Sequence, residues 1–230
     1  MDRLVEREGD ERLVRVAAGP VTLEGNLSLP KGASGIVLFA HGSGSSRHSP
    51  RNRHVARLLN EAKLATLLID LLTVDEEAID ARTGHLRFDI GLLAERLVAA
   101  TAWLTEQPDT RYLRVGYFGA STGAGAALVA AAERPDVVSA VVSRGGRPDL
   151  AGPALARVKA PTLLIVGGND FPVIELNLAA LAQLRCEKRI VIVPGATHLF
   201  EEPGALDEVA RLAREWFERY LKQEQARPST

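Results

Sequence analysis

The stretch from Val115 to Leu128, VGYFGASTGAGAAL, constrains this chain more than any other. An apolar run rich in strand formers, Tyr112 to Phe118, stops at Gly119, and small helix formers take over after Gly123. Ser121 stands between those two glycines in a G-x-S-x-G pattern, at the point where a strand turns sharply into a helix. Such a turn strains the serine backbone and lifts its hydroxyl clear of the sheet. Gly119 and Gly123 suit it because a Cβ at either would strike the closely approaching strand or helix. Rival glycine motifs fail on detail. No lysine follows as a phosphate-binding loop needs, and the spacing is not that of a dinucleotide fingerprint.

The rest of the chain alternates strands with helices. Arg12 to Ala18 and Val21 to Leu29, separated by Gly19-Pro20, read as an edge hairpin. Continuous apolar runs at Gly35–Ala40, Ala65–Asp70, Val137–Val142 and Pro161–Val166 mark strands covered on both faces, and Arg189–Val193 reads as a further strand. Ser49-Pro50 reads as a helix N-cap with proline in the first turn. Helical stripes follow around Val55–Ala62, Ile90–Leu104, Leu176–Leu184 and Leu206–Tyr220. Leu71 to Arg87 is mixed, with Asp75, Glu76 and Glu77 read as a solvated face. This order predicts an α/β fold: a mostly parallel sheet, helices on both faces and an N-terminal antiparallel hairpin, in one domain over residues 1–230. Residues 1–10 and 223–230 are expected to be poorly ordered.

In such sheets the chemistry gathers at the carboxyl ends of the strands. The segments beginning at His41, Asp70, Ser121, Arg144, Asp170 and His198 all fall at that edge. A serine needs an adjacent base, itself oriented by a carboxylate. Asp170 and His198 follow Ser121 in the order Ser, Asp, His, each at the end of a strand, and are the candidate triad partners. The oxyanion donors are expected to be the backbone N–H groups of Thr122, at a helix N-terminus, and of Ser43, in the glycine-rich loop after His41. His41 itself is assigned to orienting that loop. Arg144, at the catalytic edge, is a candidate for binding a substrate carboxylate, against the alternative that it pairs with Asp149 or points into water. His48, His54 and His85 lack ligand spacing, so no metal is expected.

Together His41-Gly42-Ser43-Gly44, the Ser121 turn, Gly168-Asn169-Asp170 and Ala196-Thr197-His198 make the chain resemble an α/β-hydrolase of the dienelactone-hydrolase-like group, from about Val14 to Tyr220. That resemblance implies eight strands, no cofactor and hydrolysis through an acyl-enzyme. It departs from the group in one respect: dienelactone hydrolases carry a cysteine where this chain has Ser121. Similar domains also occur fused to a phosphoribosyltransferase-like domain, which these residues do not supply.

The remaining bulk properties set bounds. A net charge of -1 gives no general attraction to nucleic acid or an anionic membrane. The longest apolar runs are too short to span a bilayer. One cysteine, Cys186, excludes an internal disulfide and reads as structural, and no secretory signal follows Met1. The expectation is a cytoplasmic serine hydrolase acting on a small carboxylic ester or thioester, with a homo-oligomer neither required nor excluded. Two alternatives stay open: a non-catalytic ligand-binding or signalling module on the same fold, and a lactone hydrolase.

Overall fold

A computed structural model describes residues 11–222. Eight strands form one sheet in the order β1-β2-β4-β3-β5-β6-β7-β8. The hairpin is β1 (Arg12–Ala18) and β2 (Val21–Ser28), turning at Gly19, whose φ of 62° few other residues adopt. β2 pairs antiparallel with β4 (Ala65–Ile69). All later pairings, through β3 (Ile36–Ala40), β5 (Val115–Ala120), β6 (Val138–Arg144), β7 (Thr162–Gly167) and β8 (Lys188–Val193), are parallel.

The central strands are buried on both faces because helices cover both. Ile36, Leu38 and Ala40 of β3 face a core closed by α3 (Ile90–Glu106), α4 (Thr122–Glu133) and α5 (Phe171–Gln183). Val37 and Phe39 face the opposite core, closed by α1 (Pro50–Glu61) and α6 (Ala205–Leu221). Burying one leucine or phenylalanine contributes roughly 1.5–3 kcal/mol, so two such layers hold the strand ends in fixed register. That fixed edge is what the site is built on.

Several boundaries differ from the sequence reading. β5 begins at Val115, not Tyr112: Thr110 folds back, its hydroxyl donating to Leu104 O at 2.7 Å, and Tyr112 is left exposed. α5 begins at Phe171, five residues early, because Pro172 suits a first helical turn and needs no N–H there. The mixed segment holds α2 (Val74–Thr83) and a short 3₁₀ turn, Leu86–Phe88. Thr73 and Glu76 close a capping box at 3.2 and 2.8 Å, and Gly84 ends the helix with φ 66°. Glu76 is therefore more than part of a solvated face, since its other oxygen accepts from buried Arg96 at 2.7 Å. The expected disorder at residues 1–10 and 223–230 lies outside the described residues.

Candidate active site

Ser121 sits between β5 and α4 with φ 50° and ψ -122°, a conformation that non-glycine residues rarely adopt. The strain persists because the surroundings over-determine it. A Cβ on Gly123 would run into the carbonyl oxygens of Ala40 and His41, and one on Gly119 into Ala124. The helix thus lies hard against the sheet, and the chain turns at Ser121.

The partners arrive from two later strands. β7 ends at Gly167, and Asp170 follows at the N-terminus of α5. β8 ends at Val193, and its loop brings His198 back over the end of β6, where a Cβ on Gly145 would lie 2.9 Å from His198 O. His198 Nδ1 lies 2.7 Å from Asp170 Oδ2, the carboxylate accepting from the ring N–H. Asp170 is largely buried while His198 keeps a solvent-facing side. Asn169 ties the two loops, its side-chain amide donating to Gly195 O at 2.9 Å and its backbone N–H to Ala196 O at 2.9 Å.

The loop after β3 closes the other side. A Cβ on Gly42 would lie 3.1 Å from the Cβ of Ser121, so this loop rests on the turn and Ser43 follows immediately. The N–H groups of Ser43 and Thr122 donate to no acceptor among the described residues. The Thr122 N–H also opens α4, where the helix dipole favours negative charge.

His41 anchors that loop. Its Nε2 accepts from Leu71 N–H at 3.0 Å, so the ring proton is on Nδ1, which donates to Gly42 O at 2.9 Å. Burial pushes the imidazole below its ordinary 6.5, against the opposing pulls of Gly42 O and Asp70. Arg47 fixes the far end of the loop. Its backbone N–H and guanidinium both donate to Asp70, and the guanidinium also reaches Glu24 at 2.8 Å. Asp70, at the end of β4, thus anchors the loop.

Arg144 does not pair with Asp149; Arg147 does, through two bonds of 2.9 and 2.8 Å. Arg144 is 6 % exposed; its guanidinium donates to Asn52 Oδ1 at 3.2 Å and lies 6.0 Å from the Phe200 ring centre. No carboxylate pairs with it among the described residues, and its buried Nε has no partner. Burial, with Arg51 nearby, pulls it down to about 10. Cys186 is half-buried beside the Thr162 hydroxyl, away from the site.

A cavity of about 610 Å³ opens against Thr122 and the loop after β3. Ser45, Ser46, His48 and Arg51 line one wall, while Glu77 and Arg87 line the other. Arg87 is held by the buried carboxylate of Asp80. Sequence reading missed this second wall, although Thr73-x-x-Glu76 with Gly84 beyond it carried the signature of a capped helix. Among the described residues, no helix is long and apolar enough to cross a membrane.

A model of the dienelactone hydrolase family matches residues 30–223. The chain belongs to the dienelactone hydrolase family. This family member has the α/β-hydrolase fold. It is 70 % identical to the dienelactone hydrolase of Anabaena variabilis, with a TM-score of 0.92, covering 94 % of this chain and 100 % of that one. A Mycobacterium tuberculosis protein named a putative phosphoribosyl transferase is 62 % identical over 204 residues, 89 % of this chain and 45 % of the relative. The chain therefore spans less than half the length of that relative. Est1E from Butyrivibrio proteoclasticus shares the fold, with a TM-score of 0.74 at 17 % identity, covering 90 % of this chain and 98 % of that one.

Proposed function

We propose that this family member is a cofactor-independent serine esterase that cleaves a small carboxylic ester or thioester. The observation that carries the reading is the 2.7 Å contact between Asp170 and His198 at the same strand edge as the positive-φ turn of Ser121. His198 Nε2 takes the proton from Ser121 Oγ as that oxygen attacks the substrate carbonyl. Asp170 holds the imidazole in the tautomer that leaves Nε2 free and steadies its positive charge. The negative oxygen of the tetrahedral intermediate accepts from the N–H groups of Ser43 and Thr122. The intermediate collapses, the ester C–O bond breaks, and His198 passes its proton to the leaving oxygen. Water, deprotonated by His198, then attacks the acyl-enzyme, and the acid leaves as the proton returns to Ser121.

Arg144 has a place in this reading as the residue that would meet a carboxylate on the substrate, since no acid neutralises it in the described residues. The phosphoribosyl transferase name belongs to a relative more than twice as long as the matched segment.

A fluorophosphonate probe on the purified protein tests the proposal. Covalent labelling is expected on Ser121 and should be absent in Ser121→Ala. An unlabelled protein, or labelling unchanged in that variant, removes Ser121 as nucleophile.

A further inference from the structure

The two sides of Ser121 differ in chemistry. On the side of the loop after β3 lies the cavity, lined by Leu72 and Leu93 and by polar residues from that loop, α1 and α2. Ser45, Ser46, His48 and Arg51 bring hydroxyls, an imidazole and a guanidinium. Across from them stands Glu77, whose neighbours are already engaged. Asp70 is taken by Arg47, and Asp80 by Arg87 and the N–H of Leu86. The Glu77 carboxylate has no hydrogen-bond or ion-pair partner among the described residues. Partial burial, with Asp70 and Asp80 close by and Arg47 opposing, pushes its pKa up, as an unpaired acid at a cleft wall should behave. Charges of both signs face this cavity, so it favours no ion of one sign. A hydroxylated group suits it better, because each hydroxyl donates to Glu77 and accepts from the opposite wall.

The other side is apolar. Asp170 and His198 are each followed by an exposed hydrophobic residue, Phe171 at 68 % and Leu199 at 37 % exposure. His198 is not part of the cavity wall. The reaction itself says which half of an ester lies where. The base that deprotonates the serine must hand that proton to the departing oxygen, so the alcohol lies against His198. The acyl group stays on Ser121 and is left with the other side.

We infer that the acyl group is the hydroxylated half of the substrate, held between the loop after β3 and Glu77 of α2, and that the alcohol is the apolar half, resting on Phe171 and Leu199. This rests on the serine-esterase reading and narrows its substrate class. The test uses four esters of similar size: 2,3-dihydroxypropanoate and butanoate acyl groups, each joined to benzyl alcohol or to glycerol. Each kcat/KM is divided by the same ester's rate with hydroxide, which removes intrinsic reactivity. Benzyl dihydroxypropanoate should exceed benzyl butanoate by at least about tenfold, the lower end for one hydrogen bond to a charged group. Glu77→Ala, at an exposed position whose folding circular dichroism can verify, should bring that ratio close to one. Phe171→Ala should lower the rate on benzyl esters while keeping the acyl preference. Turnover with a ratio near one in the unaltered protein, or a polar preference on the alcohol side, overturns the inference and leaves the esterase reading standing. No turnover of any of the four overturns both.

Discussion

Ser121→Gly and Ser121→Ala remove the same hydroxyl, yet they should not unfold alike. Both lose the proposed nucleophile, so turnover of an activated ester should fall by several powers of ten in each. They differ in what they ask of the backbone. At φ 50° and ψ -122° a Cβ is strained, and alanine keeps it while glycine does not. A residue held in so sparse a region costs about 1–3 kcal/mol. Glycine takes back roughly 0.4–1 kcal/mol through its greater freedom in the unfolded chain. The glycine variant should therefore be more stable than the alanine variant by up to about 2.6 kcal/mol. For a chain of this size each kcal/mol moves Tm by about 2–4 °C, so the expected gap is up to roughly 10 °C. Thermal unfolding of the two variants side by side, followed by circular dichroism, reads it directly. A glycine variant melting below the alanine variant would refute the claim that strain is stored at Ser121.

The other predictions concern its neighbours. Asp170→Asn should keep the fold but lower kcat by orders of magnitude, since the imidazole loses the acceptor at 2.7 Å; steady-state kinetics showing less than a tenfold loss would remove Asp170 from its role. His41 has a folded pKa below its ordinary 6.5, so the unfolded chain binds the extra proton first. Its contribution to stability is present above about 6.5 and declines as pH falls through that value toward the lower folded pKa. Urea unfolding across that range should show the decline, and His41→Gln should flatten it. Arg144→Ala should cost an ester bearing a free carboxylate more kcat/KM than its neutral isostere, by on the order of tenfold; equal losses on both would make Arg144 a support for Asn52 and Phe200 alone. Gly123→Ala should fail to fold stably or melt far lower, because its Cβ meets two backbone carbonyls that cannot move aside.

Much of this protein is written in local sequence. The apolar runs that become β3 to β7 needed no tertiary information, because a strand buried on both faces is apolar at most positions. The Ser121 turn was equally legible: only small residues allow a helix to lie so close to a sheet, and the glycines at 119 and 123 declare it. The order Ser121, Asp170, His198 could be read because each residue follows a strand, and parallel strands bring their ends to one edge. Tertiary structure decided what depends on partners distant in sequence. Whether Arg144 or Arg147 meets Asp149 turned on which side chain the strand end points inward, and Arg144 went under the edge to Asn52, 92 residues away. Asp70 became an anchor only because the loop after β3 brings Arg47 to it. The second wall of the cavity arises in the same way. α2 buries only Asp80 and has no apolar stripe to announce it, so its place over the cleft comes from caps and ion pairs that form once the sheet has set their positions.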